Sequence, residues 1–264
     1  MVKYDSIGKG YSRTRQADPR ITKAIIDQLR LTLPSTVADI GAGTGSYSVG
    51  LAQHGLQVLA IEPSKTMIEQ GEQHQNLEWI RGLAENLPLA SSSVDGVVSI
   101  LATHHFENLE EGLSEMVRVV KEGGPIVIFT ADPRLCPQDC WLRHYFPFLY
   151  EAVYKVNPAI EDLKRRIKRI SGTPVKVVPF LVPYDIKDRF SFAGWRKPEM
   201  YLDPLFRAGT SSFTGVPQGL VTSAIRRLKQ ELRNGRWEEK YGDVLEHSQY
   251  DGGYRLLITT KARR

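Results

Sequence analysis

Hydrophobic and polar residues alternate along residues 19–131 in a pattern that predicts strands and helices in turn. Short β-rich apolar runs predict strands at Thr36–Ile40, Gln57–Ile61, Leu77–Arg81, Val94–Leu101 and Pro125–Thr130. Apolar residues at helical spacing predict helices at about Pro19–Leu31, after the first strand to about His54, and at Leu109–Val120, and Ser64 can cap a further helix. Because apolar strands separated by helices are typical of a parallel sheet covered on both faces, we expect a doubly wound α/β fold.

This alternation ends at Ala131, where an aromatic-rich segment begins. A helix at about Pro158–Ser171 and strands at Val175–Val182 and Tyr254–Thr260 can rejoin the sheet. The roughly 70 residues between those strands include a predicted helix at Gln218–Gly235, and an unstructured loop of that length is uncommon. We therefore divide the chain into a core (1–131), an aromatic segment with a helix and a strand (132–183), an inserted, mainly helical cap (184–253) and a final core strand (254–264).

Charge is distributed unevenly along a chain of otherwise ordinary globular composition. The 264 residues are 41% hydrophobic and 25% charged, and the net charge is +5. Residues 1–130 carry a net charge of −4 and residues 131–264 one of +9. The basic residues cluster in two helical patterns: Lys164, Arg165, Arg166, Lys168 and Arg169, then Arg226, Arg227, Lys229, Arg233 and Arg236. Solvated helix faces explain both clusters, and attraction for an acidic ligand or nucleic acid is the alternative.

Cysteines and apolar runs limit the class of protein. Cys136 and Cys140 are too few for a disulfide framework, and without a second Cys/His pair at ligand spacing we expect no metal site. No apolar run approaches the roughly 18 residues that a membrane helix needs. The first fifteen residues have charges and glycines where a signal peptide needs an apolar core. We therefore expect a cytoplasmic protein without a membrane span.

A glycine-rich loop follows the first predicted strand and precedes a helix. Gly41, Gly43 and Gly45 allow positive φ and let a ligand approach bare backbone at a helix N-terminus. A dinucleotide fingerprint requires a third glycine at position 46, which is Ser46 in this chain. Glu62 closes the next strand about twenty residues further on, where a carboxylate can bind the two hydroxyls of a ribose.

These residues, with two later motifs, resemble a class I S-adenosylmethionine-dependent methyltransferase. The resemblance covers residues 11–131 and is closest to the small-molecule enzymes of ubiquinone and menaquinone biosynthesis. It implies a Rossmann-like, mostly parallel seven-stranded sheet and S-adenosylmethionine as cofactor, with S-adenosylhomocysteine as product. The four matching motifs are Asp39–Gly45, Glu62 with the residues that follow it, Gly82–Pro88 and Ser99–Phe106.

The resemblance also implies individual cofactor contacts. The backbone of the first motif would contact the methionine part, Glu62 the ribose, and Met67 with Ala84 and Glu85 the adenine. Glu85 can instead cap a turn, and Met67 can be an ordinary core residue. The complete set of expected cofactor-binding residues is Tyr11, Arg15, Asp39, Gly41, Ala42, Gly43, Gly45, Glu62, Pro63, Met67, Ala84, Glu85 and Leu101.

Two adjacent histidines, His104 and His105, end the fourth motif. Imidazole titrates near neutral pH and can take a proton from a hydroxyl, an amine or an activated carbon acid. Because neighbouring side chains on an extended strand end point to opposite faces, we expect one of the two to face the ligand crevice. Methyl transfer from a sulfonium often needs only alignment in a dry site, so a catalytic base is not required.

Residues outside the four motifs are expected to close the site and bind the acceptor. By resemblance, Tyr11 and Arg15 belong to an N-terminal lid, with Arg15 near the cofactor carboxylate. Tyr47 opens the helix after the glycine loop and can reach the cofactor or the substrate. In the cap, Trp195 and Arg196 are candidate substrate-binding residues, and Arg196 with Arg207 can meet an anionic group.

We therefore predict an enzyme that transfers a methyl group to an O, N or C atom of a small molecule. A nucleic-acid methyltransferase and a non-catalytic S-adenosylmethionine-binding protein are the alternatives. Leu101-Ala-Thr-His104 stands where amino-methyltransferases of DNA have an Asn/Asp-Pro-Pro-aromatic motif, so nucleic acid is the less favoured acceptor. The sequence does not define an oligomeric state.

Overall fold

The computed structural model describes residues 16–213 and 216–263. Its strands are β1 (Thr36–Ile40), β2 (Gln57–Glu62), β3 (Leu77–Arg81), β4 (Gly96–Ile100), β5 (Pro125–Ala131), β6 (Lys176–Pro179), β7 (Val182–Pro183), β8 (Gln249–Tyr250) and β9 (Tyr254–Thr260). Its helices are α1 (Pro19–Leu29), α2 (Ser46–Gln53), α3 (Lys65–Glu69), α4 (Leu109–Val119), α5 (Trp141–Tyr145), α6 (Pro147–Val156), α7 (Ile160–Ser171), α8 (Pro204–Ala208), α9 (Gln218–Arg233) and α10 (Arg236–Tyr241).

Seven of these strands form one sheet in the order β3-β2-β1-β4-β5-β9-β6. The strands from β3 to β5 pair in parallel, and β9 runs antiparallel to both β5 and β6. The strand order reverses between β1 and β4, and in such sheets ligands bind at the carboxyl ends of the strands at that point. The predicted doubly wound, mostly parallel seven-stranded sheet is confirmed.

Helices cover both faces of the sheet and create two separate hydrophobic layers. On one face, Ile21 and Ile25 of α1 pack with Leu51 of α2 and with the aromatic residues of the cap. On the other face, Met116 of α4 packs with Ile167 of α7. The cap therefore shares its hydrophobic layer with α1 and with α2, the helix that directly follows the glycine loop.

Several predicted element ends are confirmed and others are wrong. Asp18 caps α1 by accepting a hydrogen bond from Arg20 N at 2.9 Å, and Ser64 caps α3 by accepting one from Met67 N at 3.3 Å. The helix predicted to reach Leu31 ends at Leu29, because Arg30 adopts a left-handed conformation with φ of 52°.

In the segment that follows the core, Asp132–Tyr154 forms α5 and most of α6 rather than another βα unit, as predicted. Cys136 and Cys140 are both buried there, and each sulfur lies within 3.8 Å of the Tyr150 hydroxyl. Among the described residues, no group of three or more His, Cys, Asp or Glu side chains is placed to hold a metal ion. Within the same residues, no helix is both long enough and apolar enough to cross a membrane.

Candidate functional site

The glycine loop connects β1 to α2 at the carboxyl edge of the sheet. Gly41, Gly43 and Gly45 all have positive φ, of 78°, 60° and 75°. A Cβ atom on Gly41 would lie 2.6 Å from Ala102 Cβ, and one on Gly45 would lie 2.5 Å from the Trp79 ring. Among the described residues, no atom lies within 4 Å of the position of a Cβ on Gly43. Packing thus explains two of the glycines, whereas Gly43 borders open space where a ligand can approach the backbone.

Glu62 lies beside this open space, at the end of β2. Its side chain is buried, and its Oε2 accepts a hydrogen bond from Gly43 N at 2.9 Å. Its Oε1 accepts a hydrogen bond from Ser64 N at 3.0 Å, so the carboxylate joins the glycine loop to the start of α3. Each carboxylate oxygen has two lone pairs and can accept a further bond from a ligand hydroxyl.

Asp39 supplies a second buried carboxylate at the end of β1. Its Oδ2 accepts a hydrogen bond from Ser48 Oγ at 2.6 Å, while Oδ1 has no hydrogen-bond partner among the described residues. Burial, together with the nearby charge of Glu62, raises the pKa of the Asp39 carboxyl to about 6. A buried oxygen without a partner is a position where a polar ligand group can bind.

The residues expected near the adenine lie in two loops that follow β2 and β3. Met67 is buried in α3, and the carbonyl of Pro63 accepts a hydrogen bond from Arg81 Nε at 3.2 Å. Ala84 is buried, and the adjacent Glu85 accepts a hydrogen bond from Asn108 N at 3.2 Å through Oε1. The Glu85 side chain therefore ties its loop to Asn108, the residue that caps α4.

The two histidines do not follow the arrangement expected from the sequence. The strand predicted to reach Leu101 ends at Ile100, and Leu101 has a φ of 54°. Residues Thr103–His105 form a 3₁₀ turn, in which the rings of His104 and His105 have centroids 3.8 Å apart. The expectation that the two side chains point to opposite faces is wrong, because the turn replaces the extended backbone on which it depended.

The predicted substrate residues lie in different environments. The Tyr47 hydroxyl donates a hydrogen bond to Asp188 Oδ2 at 2.9 Å, and both side chains are buried. Trp195 is buried in the cap with its ring 5.3 Å from that of Tyr250. Arg196 lies over the ring of Tyr184 at 4.8 Å. The described contacts of Trp195 and Arg196 lie within the cap and, through a hydrogen bond from Trp141 Nε1 to the Trp195 carbonyl, with the aromatic segment. The contacts described for these two residues do not include the glycine loop.

The other residues expected to meet a ligand differ in what the structure describes of them. Arg207 donates to the carbonyl of Tyr201 at 2.6 Å, which is also a contact within the cap. Tyr11 and Arg15, the predicted lid residues, lie outside the described residues.

Phe106, the last residue of the fourth motif, approaches the position of a Cβ on Gly41 to within 3.9 Å. Two residues that the sequence analysis did not single out also contribute to the site. Trp79 packs against Gly45. Asp188 binds Tyr47 across 141 residues of sequence. No local pattern marks these residues, since each acts through a contact made only in the folded chain.

Known proteins provide an independent comparison. Residues 38–128 match a family model described as a methyltransferase domain. A crystal structure described as a methyltransferase from an antibiotic biosynthesis pathway of Anabaena variabilis is 46% identical, has a TM-score of 0.89, and aligns over 94% of this chain and 99% of that one.

Two curated relatives match over shorter regions. The biotin biosynthesis bifunctional protein BioHC of Cellvibrio japonicus is 37% identical over 112 residues, 41% of this chain and 22% of the relative. A demethylmenaquinone methyltransferase of Beutenbergia cavernae is 30% identical over 131 residues, 47% of this chain and 55% of the relative. In these two matches the chain spans about half or less of the length of the curated relative.

The chemistry of the site agrees with these comparisons. Open space at Gly43, the buried Glu62 and the available oxygen of Asp39 suit a ligand with hydroxyl and amino groups, as S-adenosylmethionine has. The similarity to the Anabaena variabilis structure extends over almost the whole chain and includes the cap. The chain belongs to the class I S-adenosylmethionine-dependent methyltransferases.

Proposed function

We propose that this protein transfers the methyl group of S-adenosylmethionine to an O, N or C atom of a small molecule. The observation that carries the proposal is the open, left-handed Gly43, whose N–H is bonded to the buried Glu62. A backbone that a ligand can approach, beside a carboxylate at the end of the second strand, is the arrangement that a ribose-containing cofactor needs.

The protein's contribution to cofactor binding follows from these contacts. Glu62 would accept hydrogen bonds from the ribose hydroxyls, while its bonds to Gly43 N and Ser64 N hold the carboxylate in place. Asp39 Oδ1 would accept a bond from a donor of the cofactor. The backbone of the loop from Gly41 to Gly45, including Ala42, would hold the methionine part. Pro63, Met67, Ala84, Glu85 and Leu101 would border the remainder. The resemblance assigns the closing role to Tyr11 and Arg15, which lie outside the described residues.

The cofactor supplies an electrophilic methyl group on a sulfonium when it is bound. The protein then has to hold the acceptor atom in line with that methyl group and keep water out, and such positioning can supply most of the rate acceleration. An imidazole nitrogen of His104 or His105 accepts the proton that the acceptor loses. The close approach of the two rings keeps both histidines as candidates.

A small-molecule acceptor fits the surface charges better than a nucleic acid does. In α7, Arg166 binds Asp162 at 2.8 Å and Glu110 of α4 at 3.5 Å, and Arg169 also binds Glu110. Lys164 binds Glu161 at 3.4 Å. These pairings offset much of the positive charge of the first basic cluster. We place the acceptor on the side of the cap, residues 184–253, with Trp195 and Arg196 in its wall.

Calorimetric titration with S-adenosylhomocysteine and with NAD tests the cofactor assignment. We expect the homocysteine product to bind more tightly than about 100 μM, which corresponds to roughly −5.5 kcal/mol, and NAD to bind more weakly. Binding of NAD without binding of S-adenosylhomocysteine would contradict the proposal.

A methyl-transfer screen of metabolite pools with labelled donor tests the reaction and the histidines. Transfer to a small molecule by the wild type is the expected result, and His104→Ala or His105→Ala should slow it by about 100-fold or more if that residue accepts the proton. Unchanged rates in both variants would leave positioning alone as the source of catalysis. Transfer to RNA but to no metabolite would contradict the small-molecule proposal.

A further inference from the structure

Residues 185–188 connect the cap to the first helix of the core. The Arg20 side chain donates a hydrogen bond from Nη1 to Asp185 Oδ1 at 2.6 Å. Asp18, which caps α1, also accepts a hydrogen bond from Lys187 N at 2.9 Å through Oδ2. The segment therefore has a defined position relative to α1.

A third contact joins the same segment to α2, and it is the most deeply buried one. Asp188 is 0% exposed and Tyr47 is 9% exposed, and the Tyr47 hydroxyl donates to Asp188 Oδ2 at 2.9 Å. In contrast, the Arg20 and Asp185 side chains are 41% and 52% exposed. Water competes little for a buried hydrogen bond, so the Tyr47–Asp188 bond resists breaking more than the exposed ion pair does.

The first turn of α2 contacts the cofactor loop and the cap through successive residues. Tyr47 donates to Asp188 of the cap, and Ser48 donates to Asp39 at the end of β1 at 2.6 Å. This turn begins directly after Gly45, the last glycine of the loop. A change in the loop can therefore reach the cap through one helical turn, because both carboxylates are bonded to it.

We infer that Asp188 is a positioning residue, which acts through Tyr47 to hold the cap in register with the cofactor loop. This inference rests on the proposed function. When the cofactor or its product orders the glycine loop, the first turn of α2 is fixed, and the Tyr47–Asp188 bond extends that order to the cap segment on the acceptor side. Cofactor binding thus prepares the acceptor site before the acceptor arrives.

Hydrogen–deuterium exchange of the full chain, with and without S-adenosylhomocysteine, tests the inference. In the wild type we expect the product to slow exchange about tenfold or more in the glycine loop with the first turn of α2, residues 41–47. We expect the same slowing in residues 185–192, which contain the connecting segment 185–188 and are called the cap segment here. In Tyr47→Phe, which loses only the hydroxyl, the loop should still be protected, while the protection gained by the cap segment should fall below about twofold.

Two substitutions three residues apart provide a matched comparison. Asp188→Ala should behave like Tyr47→Phe. Asp185→Ala removes the exposed ion pair from the same segment without touching α2, so it should keep the gain seen in the wild type. Asp188→Asn retains an oxygen that can accept the tyrosine hydroxyl, and it should restore part of the gain.

The outcomes are separable. The inference would be overturned if the product protected the cap segment in both Tyr47→Phe and Asp188→Ala as strongly as in the wild type. It would also be overturned if Asp185→Ala lost as much of this protection as those two variants do. If Tyr47→Phe and Asp188→Ala lost the same protection of the cap segment with and without the product, the bond would be a structural contact only. That result would also overturn the inference. Failure of the wild type to bind S-adenosylhomocysteine in calorimetry would instead contradict the proposed function.

Discussion

The core and the cap fill their interiors with different kinds of side chain. Strands of the core bury small aliphatic residues such as Val37, Val97 and Val127. Among the largest fully buried side chains, those that follow the sheet's first five strands are aromatic: Trp141 and Phe146 of the aromatic segment, and Trp195, Tyr201, Phe206 and Trp237 of the cap itself. Aliphatic residues on strands repeat a pattern that many sequences share, whereas aromatic rings pack in pairs of specific geometry. Under the proposed function, the core would bind the cofactor and the cap would bind the acceptor.

The rings of the cap and of the aromatic segment meet mainly edge to face. Trp141 of the aromatic segment lies 5.4 Å from Tyr201 and 5.5 Å from Trp237, at interplanar angles of 89° and 83°. Its Nε1 also donates to the carbonyl of Trp195 at 2.7 Å. Trp141 thus joins three separate parts of the cap to the aromatic segment.

The largest expected effect follows from that position. Trp141→Ala should lower the free energy of unfolding by about 3–5 kcal/mol, because it leaves a large cavity and an unpaired carbonyl. Denaturant unfolding measures the change. Leu220→Ala, at a site that is 51% exposed, should change stability by less than about 0.5 kcal/mol. A loss below about 1 kcal/mol in Trp141→Ala would show that the cap repacks easily, unlike an aromatic core.

The next effect is smaller and concerns how stability depends on pH. A carboxylate of the core and one of the cap should change stability in opposite directions as pH rises. In the folded core, Asp39 keeps its proton up to a pKa of about 6, whereas the ordinary value is 3.8. The folded state binds the additional proton, so this residue makes stability fall as pH rises between those values. As pH rises from 4 to 7, the free energy of unfolding of Asp39→Asn should increase by up to about 3 kcal/mol relative to that of the wild type. Parallel urea-unfolding curves across that range would contradict the burial argument.

Asp203 of the cap should show the opposite sign. A hydrogen bond from Leu205 N lowers the pKa of its carboxyl, so it stabilises the fold above its ordinary pKa and loses that contribution as pH falls. Asp203→Asn should therefore be less stable than the wild type at neutral pH, and the difference should shrink in acid. The same urea series measures this change.

The smallest of these effects concerns the ligand rather than the fold. Glu62→Gln should weaken binding of S-adenosylhomocysteine by about tenfold or more, or about 1.4 kcal/mol, because an amide accepts from the ribose with only one oxygen. Glu78→Gln, at an exposed position on the neighbouring strand β3, is the matched control. Equal affinities of the two variants in calorimetry would remove Glu62 from the ribose site.

The sequence allowed most of the core to be predicted because its signals are local. Each of three features depends on neighbouring residues, and the structure contains all of them: the alternation of strands and helices, the helix N-cap at Asp18 and the glycine loop. The wrong expectations concern backbone that leaves a regular element. The left-handed Arg30 ends α1 early, and the turn at Thr103–His105 brings together two rings that an extended strand would separate.

Local sequence patterns did not predict contacts between residues that are far apart in the sequence. The bond between Tyr47 and Asp188 and the packing of Trp79 on Gly45 exist only in the folded chain. In the cap, aromatic residues identified a core but not the partner of each ring. Trp195 and Arg196 are adjacent in sequence, yet the first is buried and the second lies over the ring of Tyr184.

The most direct test of the central claim compares two glycines, one from each region. Gly43 and Gly235 have φ of 60° and 76°, and a Cβ at either would meet no atom of the described part of the chain within 4 Å. The backbone strain of an alanine should therefore lower the free energy of unfolding of either variant by about 1–2 kcal/mol. If the open space at Gly43 holds the cofactor, calorimetry should show at least about tenfold weaker binding of S-adenosylhomocysteine in Gly43→Ala and unchanged binding in Gly235→Ala. Wild-type affinity in Gly43→Ala would contradict the account.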